Sequence, residues 1–360
     1  MTSKKRATRG FFDEFEQLER LSKLKDPLEK LNAKIDFELF RDTLNTIYEK
    51  TERKSKAGAK PFDYVLMLKV VILQRLYNLS DEQTEFHLND RLTFKRFVGL
   101  EFGHKVPDTN TIWNFKERLK ENDNERKLFD RFYKEIEEEK LIVSEGKMVD
   151  ASFHEVPRQR NSREENKTVK EGCIPEEWTE EKNKNKLRHK DTDARWVKKN
   201  NETFYGYKNH VKADLGSKLI DDYTVTDASV HDSQALEVLL TEKDKGQALY
   251  ADSAYTGDEQ QTSITKVEMV NKVLEKGYKN KPLTDEQKGN NRNKSKYRAR
   301  VEHIFGFIEN SMNGTYMRCI GMARARVVIG LTNLAYNICR TVQLVTLSKE
   351  RCVQLAKLGS

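Results

Sequence analysis

Two short apolar runs in this 360-residue chain end in a carboxylate, and a third carboxylate follows at helical spacing. Lys147-Met148-Val149-Asp150 reads as a strand that delivers Asp150 at its end. Gln247-Ala248-Leu249-Tyr250-Ala251-Asp252 does the same for Asp252. Glu302 shares a predicted helix face with Arg298, Phe305 and Glu309. Strand C-termini of an open mixed sheet are where ligands bind, so adjacent strands would bring both aspartates to one sheet edge. Three converging carboxylates are hard oxygen donors that suit two divalent ions, Mg²⁺ first and Mn²⁺ as its substitute. Two such ions about 3.5–4 Å apart activate a water or 3′-hydroxyl and stabilise the leaving oxygen of a phosphodiester. Asp150 would bridge the two ions, with Asp252 and Glu302 each completing one.

Each residue also has a blander reading. Aspartates often end strands as caps, and Asp214, Asp221, Asp222, Asp227 and Asp232 crowd the same region. Arg298 and Glu302, four apart, could form a surface pair worth a few tenths of a kcal/mol. His154, His210, His231 and His303 lie near the carboxylates in sequence, but without H-x-x-x-H or H-E-x-x-H spacing they do not suggest zinc. Neither G-x-G-x-x-G nor G-x-x-x-x-G-K-[ST] occurs, which speaks against a nucleoside triphosphate as fuel. The argument for metal chemistry rests on the ordered trio.

The elements that must position the trio can be read from periodicity. Residues 1–145 are helical: Phe37, Phe40, Leu44, Ile47 and Tyr48 recur at helical spacing, as does the 64–76 run after Pro61. Ser80 with Gln83 predicts a capped helix over 81–92. Asp108-Thr109-Asn110-Thr111 predicts another helix start. Joined through Gly103 and Pro107, these two helices could form a helix-turn-helix, the second carrying Asn110, Asn114, Lys116 and Arg118 toward DNA; an ordinary helical hairpin is the alternative. From 146 the regime changes: a strand through 147–153, a polar insertion at about 155–200, and a hairpin of 203–211 with 219–225. A helix over 232–240 and the Asp252 strand come next, and two long helices over 298–312 and 323–344 close the order. Strand with Asp, hairpin, helix, strand with Asp, helix with Glu is the order of an RNase H-like nucleotidyl-transfer core. The expected fold is therefore α/β, a mixed sheet flanked by helices in 146–345 and preceded by an all-α region, with a tail at 346–360.

Composition excludes other classes. Phe (17) and Tyr (13) recur within patterned segments, so disorder throughout is not expected. Four cysteines without a C-x-x-C pair suggest a reducing compartment rather than a disulfide framework. No apolar h-region follows the basic residues of 1–10, and the 327–339 apolar run is shorter than the roughly 20 residues of a membrane span. The formal charge of +8 is modest, but its distribution is uneven. Lys288, Arg292, Lys294, Lys296, Arg298 and Arg300 follow one another with no acid between. Arg158, Arg160, Arg163, Arg195, Lys198 and Lys199 accompany Trp178 and Trp196 in the insertion. Basic segments with interleaved aromatics beside one sheet favour a nucleic-acid partner over a merely solvated face.

At the level of whole motifs the chain resembles bacterial insertion-sequence DDE transposases. Val149-Asp150-Ala151-Ser152-Phe153 with the 157–166 segment looks like their first catalytic block. Asp193-Ala194-Arg195-Trp196 with Tyr205-Gly206-Tyr207-Lys208-Asn209-His210, then Tyr250-Ala251-Asp252-Ser253-Ala254-Tyr255, then Arg298-Ala299-Arg300-Val301-Glu302-His303-Ile304-Phe305-Gly306 resemble the later ones. The resemblance runs from about 60 to 345 and is nearest the branch named after insertion sequence five, with an InsH-like N-terminal region. It implies an RNase H-like domain, an Asp150/Asp252/Glu302 triad and Mg²⁺. It also implies action on terminal inverted repeats, oligomeric synapsis by a homodimer, and a place on the bacterial nucleoid in the cytoplasm. The family's Tyr-x-x-Arg-x-x-x-Glu-x-x-x-x-x-x-Lys pattern has Ser295 for its Tyr and Glu309 for its Lys. That leaves Lys294, Arg298 and Arg300 as the phosphate contacts there.

The reading that follows is a transposase that cleaves and joins DNA strands. Trp196, flanked by Arg195, Lys198 and Lys199, is its candidate for stacking on a distorted base; Lys208, Asn209 and His210 complete the candidate DNA contacts. Its rivals are a structure-selective nuclease without strand transfer and a catalytically silent DNA-binding protein.

Overall fold

The computed structural model describes residues 13–48, 60–101, 103–143, 145–199, 201–278 and 281–358. The basic 1–10 segment lies outside them. The N-terminal part is helical: α1 (Asp13–Lys23), α2 (Pro27–Lys34), α3 (Arg41–Tyr48), α4 (Tyr64–Leu76), α5 (Asp81–Asp90), α6 (Leu92–Val98), α7 (Thr109–Leu119) and α8 (Asn124–Glu138). The expected caps form. Ser80 and Gln83 satisfy each other's backbone N–H groups in a capping box, and Asp108 accepts from the Thr111 N–H. The single helix expected over 81–92 is broken at Arg91, whose extended backbone ends α5 and starts α6.

The sheet follows: β1 (Lys147–Glu155), then three short helices, α9 (Arg163–Lys170), α10 (Glu176–Thr179) and α11 (Lys184–Arg188), then β2 (Arg195–Lys199), β3 (Glu202–Asp214) and β4 (Ile220–Asp227). After α12 (Leu236–Leu239) come β5 (Ala248–Tyr250), α13 (Asp258–Lys266), β6 (Val270–Asn271), α14 (Asp285–Gly306) and α15 (Met322–Leu358). The order across the sheet is β2-β3-β1-β5-β6, with β4 also paired to β3. β3 is antiparallel to β1, whereas β5 is parallel to it. The fold is thus mixed α/β, a mixed sheet flanked by helices with a helical N-terminal region.

Alternation along β1 divides the apolar residues between two faces. Met148 joins the larger core with α4, α8, α14 and α15. Val149 joins the smaller one, formed with Leu236, Leu239, Tyr255 and Ile264. The larger core is continuous from Leu28 and Phe40 of the N-terminal part to Leu334 and Ile338 of α15. Gly330 marks its tightest crossing: an added Cβ would lie 2.5 Å from the Tyr223 hydroxyl and 3.1 Å from Glu125.

Among the described residues no helix is long and apolar enough to cross a membrane. The 327–339 run instead lies in α15 against the sheet, and its asparagines are bonded there. The Asn337 side chain accepts from the Ile220 N–H at 2.9 Å and donates to the Ile220 carbonyl at 2.8 Å. An Asn337→Leu variant leaves both backbone groups of a buried strand start without partners. It should lower unfolding free energy by about 2–4 kcal/mol, read from a shifted denaturant midpoint at unchanged slope.

The 155–200 insertion, expected as a long polar segment, has a small core of its own. Trp178 is fully buried there and its indole N–H donates to Glu165 at 2.6 Å. Glu165 also takes the Ser162 N–H in a capping box at the start of α9 and pairs with Lys186. The indole N–H, the Ser162 N–H and Lys186 together pull its carboxyl down to about 2. Asp191 fastens the far end, accepting from the Tyr207 hydroxyl and from the N–H groups of Asp193, Ala194 and Gly321. Trp178→Ala should open this segment to limited proteolysis between residues 163 and 190 while the rest of the chain stays resistant, because the indole is what the short helices pack on.

Candidate active site

β1 and β5 run parallel with Met148 opposite Tyr250. Asp150 and Asp252 each lie two residues further on; contrary to the expectation from sequence, β1 runs on to Glu155, so Asp150 sits inside its strand, whereas Asp252 lies just past the end of β5. The Asp252 carboxylate caps the short turn 253–255, accepting the Ala254 N–H at 2.7 Å. Asp150 accepts its neighbouring Ala151 N–H at 2.8 Å. Glu302 comes from α14, which crosses β1. Arg298, one turn earlier, forks between two of the carboxylates, with Nη1 at 3.1 Å from Asp150 and Nη2 at 2.9 Å from Glu302. Arg298 thus joins Asp150 to Glu302, and Asp252 on the neighbouring strand lies within the electrostatic reach of Asp150.

The electrostatics favour a cation. Burial pushes the Asp150 carboxyl up to about 6, with Asp252 adding to the rise and the Ala151 N–H, Arg298 and Lys199 opposing it. The Tyr255 ring is buried beneath, in the field of Asp150, Asp232 and Asp252. Its hydroxyl has no hydrogen-bond partner among the described residues. Lys199 lies 3.6 Å from Asp232 and over the Phe153 ring, which stacks on Phe204 at 4.3 Å. Among the described residues no three His, Cys, Asp or Glu side chains are gathered closely enough to enclose a metal ion, since the Arg298 guanidinium lies between Asp150 and Glu302. The donors nevertheless suit a hard divalent ion: three carboxylates, one of them desolvated, over an orphaned hydroxyl. Arg298 is the group that would have to yield.

Among the described residues the four histidines form no metal site. His154 and His210 are buried and pushed down to about 4 by burial, so both stay neutral; the His210 ring bonds Thr226.

The candidate DNA residues divide into two groups. Arg158, Arg160, Arg163, Trp196, Lys198 and Lys199 are exposed around the insertion and β2, with Arg158 5.8 Å from the Trp196 ring. Asn110 and Asn114 are exposed on α7. The others are engaged in the fold. Asn209 is fully buried in a reciprocal amide pair with Asn333. Lys208 is buried against Asp232, His210 is buried, and Lys116 turns inward to Asp81 at 2.5 Å. Alternation explains the first three: they lie at the centre of β3, where both faces are covered. Arg118 sits over the Tyr48 ring. Arg195 holds the carbonyls of Thr192 and Ala194, Arg300 that of Leu215 and Lys294 that of Val273. Sequence reasoning did not single out Asp232, which holds Lys199 and Lys208, or the buried Tyr255 in the field of the aspartates. Nothing in their spacing distinguishes them from the many other acids and aromatics.

Residues 143–338 match the transposase DDE domain family, and residues 16–118 match a second family described as a transposase domain of the DUF772 type. The chain belongs to the DDE transposase family. It is a DNA transposase, and DDE transposase domains generally use divalent metal ions. Among solved structures, a cryo-EM piggyBac transposase synaptic complex with hairpin DNA is similar, with a TM-score of 0.44 and 12% identity over 87% of this transposase and 75% of that chain.

Proposed function

We propose that this transposase belongs to the insertion-sequence-five branch with an InsH-like helical region, and that its sheet and flanking helices are an RNase H-like core. In that reading it binds the terminal inverted repeats of its element, cleaves there and joins the freed 3′ ends to target DNA. Asp150, Asp252 and Glu302 would hold two Mg²⁺ ions, with Mn²⁺ as a substitute. The ions, when bound, would activate the attacking oxygen and neutralise charge on the leaving one. The residues of the chain supply the rest. Asp150 and Asp252 are fixed by backbone N–H donors before substrate arrives. Arg298 balances the charge of Asp150 and Glu302 and is the natural partner for the scissile phosphate once it leaves Asp150. Exposed Arg158, Arg160, Arg163, Lys198 and Lys199 track the DNA backbone, and Trp196 offers a stacking face for a distorted base. Two copies of the chain would hold two ends together.

The observation that carries this reading is a pair of aspartates at matching positions along two parallel neighbouring strands, one of them tied through Arg298 to a glutamate on a crossing helix. The test uses a supercoiled plasmid and a labelled duplex carrying the element's own end, with Mg²⁺, for wild type and Asp252→Asn. Boundary cleavage with joined plasmid products, absent in the variant, is expected. Cut ends without joints would favour the structure-selective nuclease. Equal activity in both proteins would remove Asp252 from the chemistry.

A further inference from the structure

A cavity of about 720 Å³ opens between α4, the starts of α5 and α7, and the segment leading into α15, away from the carboxylates. Arg75 lies at its base and is 91% buried, its relative exposure being 9%. Of its five N–H donors, the one hydrogen bond among the described residues is a long 3.4 Å contact to the Leu79 carbonyl. Burial pushes this guanidinium down to about 10, with Cys319 and Asp81 opposing the fall and Arg318 adding to it. Among the described residues no acid in the wall forms an ion pair with it, although the field of Asp81 reaches it and Glu82 is bonded to the Ser80 hydroxyl. Asp81 is taken by Lys116 and Gln74, and Glu117 by Arg324 and Lys120. Arg318 adds a second, exposed guanidinium at the mouth, where it donates to the Asn78 carbonyl. Trp113 completes the rim with 46% of its surface exposed.

A buried arginine with no ion-pair partner among the described residues, a second arginine above it and a solvent-facing indole together make a site for an anionic group attached to a flat ring. We propose that this cavity binds a nucleotide, its phosphate on Arg75 and Arg318 and its base against Trp113. The volume suits such a ligand, within the roughly 300–1,000 Å³ of small-molecule pockets. The position suits DNA as a source. Residues 315–317 pair with the end of β1 at Glu155. Five residue steps separate Asp150 from Glu155, about 17 Å along the strand, so the segment that carries Arg318 joins β1 beyond Asp150 on the same strand. The nucleotide is either one displaced from a bound duplex, which rests on the DNA-end reading above, or a free mononucleotide.

The test uses the full chain with thymidine 5′-monophosphate and inorganic phosphate as probes, read by tryptophan fluorescence and calorimetry. Wild type should bind the mononucleotide with quenching, and phosphate should compete. Arg75→Gln should weaken binding at least about tenfold, the loss of one charge-assisted contact. Trp113→Ala, a change at an exposed residue that spares the fold, should abolish most of the quenching and weaken binding several-fold. Unchanged binding in both variants, or no binding by wild type, overturns the proposal. A parallel scan places 2-aminopurine at successive positions of the end duplex. A fluorescence rise at one position that needs Arg75 and Trp113 identifies DNA as the source. Mononucleotide binding with no such position identifies a free nucleotide. Boundary cleavage is assayed in the same preparations. Cleavage without mononucleotide binding removes only the pocket, and binding without cleavage removes only the transposition reading.

Discussion

Asp150→Asn should eliminate Mg²⁺-dependent cleavage of the element's end, by roughly 10³-fold or more, the scale on which single members of a catalytic unit are felt. The substitution is nearly isosteric. The amide oxygen can keep the bond from the Ala151 N–H that Asp150 Oδ1 now accepts. What it loses is charge. The amide N–H₂ would face Arg298 Nη1, a donor against a donor, where a carboxylate now accepts at 3.1 Å. Stability should hold or rise slightly, because a carboxylate whose burial already pushes it up to about 6 is costly to keep ionised at pH 7. Circular dichroism and a melting curve like those of wild type, with no cleaved product, are the expected pair of results. Retained cleavage would assign Asp150 to the strand's architecture and send the search for the metal site elsewhere.

The second large effect is on the fold. Gly206 sits in β3 opposite Glu155, with φ at +151°. A Cβ there would lie 2.2 Å from the His154 carbonyl oxygen and 3.2 Å from the Glu155 Cα. Both are backbone atoms of β1, so no side chain can swing aside. The strand must move or lose its pairing. Gly206→Ala should therefore cost about 3 kcal/mol or more, combining backbone strain with overpacking. The damage would fall where β2 hands over to β4 along the edge of β3. A lowered denaturation midpoint, with faster amide exchange in residues 152–156 than in 147–150, would locate it. A stable variant with unchanged exchange would show that β1 can shift at no cost.

Much of this site was legible in the sequence because its logic is local. A strand carrying Asp150, a strand leading to Asp252 and a helix with Glu302 each announce themselves by periodicity, although β1 continues to Glu155 rather than ending at Asp150. The caps at Ser80 and Asp108 were legible for the same reason: the bonds they make reach only three residues ahead. What stayed hidden depends on distant partners. The 155–200 segment looked formless because its core is a single indole held by one glutamate thirteen residues earlier, too few apolar residues to show a period. Lys208, Asn209 and His210 looked like surface contacts in a basic motif. Their burial follows from coverage of both faces of β3, by α15 on one side and by Asp232 and its turn on the other. Lys116 looked free on a helix face because its partner, Asp81, belongs to another helix. The fork of Arg298 was half visible: the i,i+4 pair with Glu302 could be read, but not the bond to Asp150.

The continuous core around α15 bears on how such chains can be exchanged between relatives. α15 packs against α2, α4 and α8 on one side and β4 on the other, and the glycine at 330 leaves no slack where three of these elements meet. A fragment beginning near residue 143 would carry α15 with its helix-facing side bare, a stripe including Leu331 and Leu334 that water would not tolerate. New specificity cannot then be obtained by transplanting the first 140 residues alone. A working chimera must carry the outward face of the last helix with them, so the two ends of the chain are inherited as one part.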